Sequence, residues 1–128
     1  MTHRFPVRVY YEDTDLAGIV YYANYLKFIE RARSEWVREM GIDQVAMREA
    51  GLVFAVRRVV ADYIAPARFD DDLIVETSML PGSGARLVVR QDVKRGDTLL
   101  FSAEVTIICM TTAGTIARLP AAIRQQTR

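Results

Sequence analysis

Three carboxylates fall within four positions at Glu12, Asp13 and Asp15, at the head of the stretch EDTDLAGIVYYANY that ends at Tyr25. A carboxylate can attack an activated carbonyl as a nucleophile, or take a proton from water as a general base. An ordinary aspartate, with a pKa of about 3.9, is ionised at neutral pH but is a weak base, so it either attacks directly or needs a pocket that raises its pKa. The competing reading is local. Asp13 and Asp15 are also good turn formers, whose side chains accept from nearby backbone N–H groups. Gly18 favours a site over a turn, because glycine lets the backbone bend or approach a ligand closely. The residues Val20 to Asn24 would carry unpaired N–H groups at the start of a helix, a place suited to stabilising a polarised carbonyl.

Other chemistries lack their parts. The single histidine, His3, lies close to the terminus and before the first strand and reads as an exposed, mobile side chain, which leaves a Ser-His-Asp or Cys-His site without a well-placed base. Cys109 is the only cysteine, which excludes an internal disulfide and leaves a poor case for zinc; its neighbours TIICM suggest a buried strand thiol. The GSG at 82–84 lacks the fuller nucleophile-elbow pattern and reads as a hairpin turn. No glycine-rich dinucleotide fingerprint and no phosphate-binding loop motif is present.

The elements that would position the carboxylates follow from periodicity. FPVRVYYE, residues 5–12, alternates like a strand that ends at Glu12 in the acidic turn. From Asn24, a plausible N-cap, Tyr25, Ile29, Ala32, Trp36 and Met40 recur at helical spacing up to Gly41. Residues 42–51 read as a shorter helix or linker. LVFAVRRVVADYIAP, FDDDLIVETSMLPG, GARLVVRQDVKRGD and TLLFSAEVTIICMTTAG then read as successive strands of an antiparallel meander, with turn chemistry at Pro66, Pro81 to Gly84, Gly96-Asp97 and Gly114. The tail PAAIRQQTR forms a short helix or frays. One long helix and about five strands give an α+β layout, with the apolar stripe of the helix against one face of the sheet.

Composition sets the remaining bounds. A chain of 128 residues has the length of one domain, and 17 Lys plus Arg against 16 Asp plus Glu supply no general attraction to nucleic acid or anionic lipid. The N-terminus lacks the apolar core of a signal peptide and no stretch is long enough to span a membrane, so a cytoplasmic location is expected. Any polyanionic ligand must be met by a local cluster of basic side chains.

DTDLAGIVYYANYLKFIERARSEWVREMGI, residues 13–42, resembles the signature of the hot-dog-fold acyl-CoA thioesterases, in the branch that holds 4-hydroxybenzoyl-CoA thioesterases and Tol-Pal-associated acyl-CoA thioesterases. PARFDDDLIVET, GARLVVRQDVKRGDTLLFSAEVTIICM and the closing RLP resemble the later strands of that family, so the likeness covers nearly the whole chain in order. The resemblance implies a single domain in which a long antiparallel sheet wraps a central helix. It also implies pairing with a second copy, as homodimer or homotetramer, with active sites between protomers. The implied reaction is hydrolysis of an acyl-CoA, or of an acyl carrier protein thioester, without metal or cofactor.

Residue by residue, the family's catalytic carboxylate falls on Asp15 and its carbonyl-polarising backbone N–H near Tyr22, with Gly18, Val20 and Tyr21 in the substrate-binding segment. Asp13 then shapes the turn, and Tyr25 packs the helix base. Coenzyme A phosphates need arginine, which binds them bidentately; Arg57, Arg58 and Arg86 are the first candidates, ahead of Arg90, Lys94 and Arg95. In the Tol-Pal branch a histidine commonly stands where this chain has Tyr22, while the hydroxybenzoyl-CoA enzymes have tyrosine there. Two other readings stay open: a thioester-binding or scaffold module without turnover, and a hot-dog dehydratase or hydratase, which would need a histidine in the site.

Overall fold

Alternation of apolar and polar residues sets which way each strand faces. In the computed structural model, which describes residues 2–126, the chain runs through β1 (Thr2–Arg8), α1 (Asn24–Glu39), α2 (Gln44–Glu49), β2 (Leu52–Tyr63), β3 (Asp72–Leu80), β4 (Arg86–Arg95), β5 (Thr98–Thr111), β6 (Ile116–Ala117) and α3 (Ala121–Gln126). On β4, Leu87, Val89, Gln91 and Val93 are buried while Arg86 and Arg90 are exposed. On β5, Phe101, Ala103, Val105, Ile107 and Cys109 carry the same face onward. α1 lies against that face through Tyr25, Phe28, Ile29 and Ala32, which fall at i, i+3, i+4 and i+7 and are all buried. Gly41, at φ +85°, accepts the left-handed turn that ends the helix.

All pairings are antiparallel, in the order β1-β3-β4-β5-β2, with the two-residue β6 added to β5. This is the sheet-around-a-helix architecture of the hot-dog fold. The expected meander holds for β3, β4 and β5 only. β2 does not neighbour β3: it lies at the far edge, pairing with β5 from Leu52 opposite Thr111 to Tyr63 opposite Phe101. β5 is long enough to pair on both sides, and β3 instead pairs with β1. The connection from β2 to β3, residues 64–71, therefore crosses the start of α1, and this crossing holds the candidate site in place.

Three further expectations are corrected. The first strand ends at Arg8, not Glu12, because Asp13 pulls the chain into a short 3-10 turn over Tyr11–Asp13, with its N–H on the Tyr10 carbonyl. Asn24 is the first helical residue and not the cap; the cap position is Ala23, and the Asn24 side chain is drawn to Asp13 instead. His3 is not the exposed side chain expected. It lies on β1 opposite Thr77, its side chain is 15% exposed, and its Nε2 contacts the Glu39 carboxylate at the end of α1. Cys109 is buried on β5, where desolvation pushes its thiol up. Residues 82–84 do form the turn between β3 and β4, closed by hydrogen bonds between Ser83 and Arg86. The tail is helical to Gln126, and its last two residues, Thr127 and Arg128, lie outside the described residues.

One polar pin runs under the helix. Gln91 is fully buried, and its Nε2 donates to the Ile29 carbonyl and to Thr77 Oγ1, both at 2.9 Å. A buried amide without partners would be costly, so these bonds fix the helix against β3 and β4 as well as satisfying the side chain.

Candidate active site

Asp13 is the organising residue of the acidic turn. It is buried, and its carboxylate accepts from the Tyr10 N–H at 2.8 Å and from Asn24 Nδ2 at 2.7 Å. Its carbonyl accepts from the Tyr21 N–H at 2.9 Å. A single residue thus ties the end of the first strand, the loop after it and the first turn of α1 to one another.

Between these anchors the loop folds back on itself. Thr14 pairs with Val20, the Asp15 N–H donates to the Ile19 carbonyl at 2.9 Å, and Gly18, at φ +78°, returns its N–H to the Asp15 carbonyl at 3.0 Å. A side chain at that φ would be strained, so glycine is demanded by the turn itself. The Asp15 carboxylate is exposed; Oδ1 accepts from the Ala17 N–H at 2.9 Å, and Oδ2 has no partner among the described residues. The turn-forming role and an available carboxylate oxygen coexist in the same side chain.

The crossing segment 64–71 fastens this loop from outside. Val20, buried at 3% exposure, donates its N–H to the Ala67 carbonyl at 2.9 Å, Ile19 pairs with Arg68, and the Ala67 N–H donates to the Tyr25 hydroxyl at 3.2 Å. Asp71 secures the crossing by accepting from the Arg68 N–H at 2.8 Å and from Arg95 Nη1 at 2.9 Å. Against a desolvation that by itself would raise it, these donors hold the Asp71 carboxyl below the ordinary carboxylate range. Ala67, Arg68 and Asp71 were not among the sequence candidates. The text PARFDDD marked the segment as like the family, but nothing local says that it folds onto residues 19 and 20.

At the start of α1, the Tyr22 N–H has no acceptor among the described residues, whereas the neighbouring Tyr21 N–H is taken by Asp13. The Tyr22 carbonyl accepts from the Tyr63 hydroxyl at 2.8 Å. The Tyr63 ring meets Tyr22, Tyr25 and Phe101 edge-on, and Tyr25 stacks flat on Phe101 at 4.8 Å between centroids. Burial pushes the phenols of Tyr25 and Tyr63 up, so both stay protonated and able to donate. Tyr25 is a packing residue, as expected from the apolar stripe. Tyr63 was missed, since a tyrosine inside a strand pattern carries no signal of what its hydroxyl reaches.

The basic candidates separate. Lys94 and Arg95 are committed to Glu76 and Asp71. Arg57 and Arg86 line one groove of about 400 Å³ on the face of the sheet away from α1, together with Ser83 and Val88. Arg58 is not part of that groove: a bulge after Val56 leaves Arg57 unpaired and places Arg58 opposite Thr106. Asp15 does not line it either. Among the described residues, no group of His, Cys, Asp and Glu could hold a metal ion, and no helix is long and apolar enough to cross a membrane.

Gly18, Tyr21 and Tyr22 are exposed, as is Asp15. Loop, crossing segment and helix start thus present a carboxylate and an acceptor-free N–H on one rigid frame. The chain is similar in sequence and in fold to proteins named as thioesterases. The Escherichia coli O6:H1 acyl-CoA thioester hydrolase YbgC is 44% identical over 108 residues, covering 84% of this chain and 81% of that protein. The Haemophilus influenzae acyl-CoA thioesterase YbgC is 43% identical over 107 residues, covering 83% and 79%. The crystal structure of a probable thioesterase from Bartonella henselae superposes with a TM-score of 0.90 at 36% identity, covering 94% of this chain and 100% of that one. Residues 9–127 match the thioesterase-like superfamily, and the chain belongs to that family.

Proposed function

We propose that the protein hydrolyses acyl-CoA thioesters to the free acid and coenzyme A, with Asp15 as the reacting carboxylate and the Tyr22 N–H as the carbonyl-polarising donor. The observation that carries this reading is the pairing of an exposed Asp15 carboxylate, one oxygen of it unpartnered, with an acceptor-free N–H at a helix start, both held by Asp13 and the 64–71 crossing. The names of the relatives, acyl-CoA thioester hydrolase and acyl-CoA thioesterase, point the same way.

In the nucleophilic route an Asp15 oxygen bonds to the thioester carbon, the carbonyl oxygen takes up negative charge against the Tyr22 N–H, and the C–S bond breaks to release the thiolate of coenzyme A. Water then cleaves the mixed anhydride and restores Asp15. In the general-base route Asp15 takes a proton from the attacking water and no covalent intermediate forms. One well-placed donor to such an oxyanion contributes roughly 2.7–4 kcal/mol, and the partial positive charge of the α1 N-terminus adds to it. Gly18 and Tyr21 flank the entering thioester, and Val20 anchors their loop to Ala67. Arg57 and Arg86 are the candidate contacts for the coenzyme A phosphates, since they share a groove and neither has an ion pair among the described residues.

We further propose that two copies pair through the edge of β2, within the homodimer or homotetramer that the resemblance implies. This strand runs for 12 residues with its outer edge unpaired, and Val56, Val59 and Val60 on it are 39–49% exposed. Such an edge is a template for a second strand, and an isologous pairing of two copies closes it. Leu16, Tyr22, Tyr63, Ile64 and Phe69 are also at least half exposed, an apolar surface that supports the reading of a second protomer beside the site.

Release of thiol from a panel of acetyl, palmitoyl and aromatic acyl-CoA and acyl carrier protein thioesters tests the activity. A folded protein that releases none supports the binding-module reading. Asp15→Asn is expected to keep the fold and lose a hundredfold or more in turnover, on the order of a catalytic acid–base contribution; an unchanged rate overturns the assignment. Label in the Asp15 carboxylate after a single turnover in ¹⁸O-water would establish the nucleophilic route with water attacking the aspartyl carbon of the anhydride, since the general-base route leaves no label there. The dehydratase reading has no support from the only histidine, since His3 lies against Glu39 at the opposite end of α1.

A further inference from the structure

Arg33 lies nine positions beyond Asn24 on α1, about 13 Å along the helix axis, so it stands well away from the helix start. Its guanidinium is mostly withdrawn from water, and desolvation lowers its pKa from the ordinary value. A buried cation is normally met by a carboxylate. Among the described residues Arg33 has no salt bridge, and its one hydrogen bond, from Nη1, goes to the neutral Oε1 of Gln91 at 2.9 Å. Gln91 cannot turn away from it, because the other end of its amide is held by Ile29 and Thr77.

Beside this guanidinium lies a cavity of about 210 Å³ between α1 and the inner face of β2, β4 and β5. Trp36, Phe54, Leu87 and Ile107 supply an apolar part of its wall, and Ser34 and Gln44 are polar residues on the same lining. Glu30 is also on the lining, but it is exposed, and its carboxylate accepts from Ser34 Oγ at 3.2 Å. Glu30 thus carries the opposite charge on the same lining and acts on Arg33 through space, without forming an ion pair with it. At about 30 Å³ for each water-sized group, the volume takes about seven heavy atoms.

We infer that this cavity is a binding site for a short-chain carboxylate, whose charged head pairs with Arg33 and whose tail of about four carbons lies against Trp36, Phe54 and Leu87. The acid released by thioester hydrolysis belongs to the same chemical class, but the binding does not depend on turnover. A neutral alcohol of the same length would fill the apolar space and leave the guanidinium unanswered. A carboxylate satisfies both.

Trp36 is the only tryptophan in the chain, so its emission reports on the cavity directly. Titration of the full-length protein with pentanoate is expected to shift that emission saturably, while pentanol produces a response weaker by about tenfold or more, the factor expected of a hydrogen bond to a charged group. Arg33→Met should lose the pentanoate response in a protein that still melts cooperatively, and Glu30→Gln should strengthen it by removing the opposing charge. If Arg33→Met does not fold, Ser34→Phe blocks the cavity from the helix surface without removing the guanidinium, and should abolish the response. Equal responses to acid and alcohol, an unaltered titration in Arg33→Met or Ser34→Phe, or no saturable response at all would overturn the inference. So would dissociation of the wild-type oligomer by Arg33→Met together with a silent wild type, because the carboxylate answering Arg33 would then belong to a second copy.

Discussion

Removing the Asp13 carboxylate should unlock the candidate site before any catalytic group is touched. Asp13→Ala strips two acceptors from a buried position, leaving the Tyr10 N–H and the Asn24 amide without partners. An unsatisfied buried donor costs about 1–3 kcal/mol, so the Asn24 amide alone should cost that much of the roughly 5–15 kcal/mol that holds a domain folded, and the Tyr10 N–H, whose bond is only part-buried, adds less. Asp13→Asn should be much milder. Its remaining oxygen can still accept from Tyr10, and its new amide can donate to Asn24 once that side chain turns its oxygen inward, so only the charge is lost. The assay is urea denaturation of Asp13→Ala, Asp13→Asn, Asn24→Ala and the Asp13→Ala/Asn24→Ala pair. The double mutant should be less destabilised than the sum of the singles, since each single leaves behind a group that the other removes. An Asp13→Ala variant within about 0.5 kcal/mol of wild type, the range of an uninvolved surface change, would refute the role given to this residue.

Tyr63→Phe removes the hydroxyl that steadies the Tyr22 carbonyl while keeping the ring in its aromatic cluster, so it should lower kcat with little change in KM or melting temperature; an unaltered kcat would show that the bond does not position the helix start. Asp71 has a depressed pKa in the folded protein, so its contribution to stability is present above the unfolded value of 3.8 and is lost as pH falls through the lower folded value. Acid denaturation below that pH should therefore be shallower in Asp71→Asn than in wild type, and parallel curves would contradict the argument. Val59→Lys or Val60→Lys, on the open edge of β2, should shift the protein from dimer toward monomer in sedimentation, whereas an unchanged dimer would move the interface elsewhere.

What the sequence determined by itself is everything that depends on short-range pattern. The helical spacing of Tyr25, Ile29 and Ala32, the alternation along β4 and β5 and the turns at 82–84 and 96–97 are local consequences of backbone geometry, and they appear where the pattern puts them. The acidic turn was legible as a candidate site for the same reason: Asp13, Asp15 and Gly18 are types whose turn chemistry and reactivity act over a few residues. What only the tertiary structure decided involves partners distant in the chain. Asp13 drew Asn24 away from capping and ended β1 early because a buried carboxylate takes whichever donors reach it. His3 found Glu39, Tyr63 found the Tyr22 carbonyl, and Arg33 found Gln91 across 36, 41 and 58 residues respectively. The place of β2 at the sheet edge has the same origin, since periodicity tells a strand which faces to bury but not which neighbour to pair with. That choice sent residues 64–71 across the start of α1, and with them the backbone that holds Asp15 and Tyr22 in position.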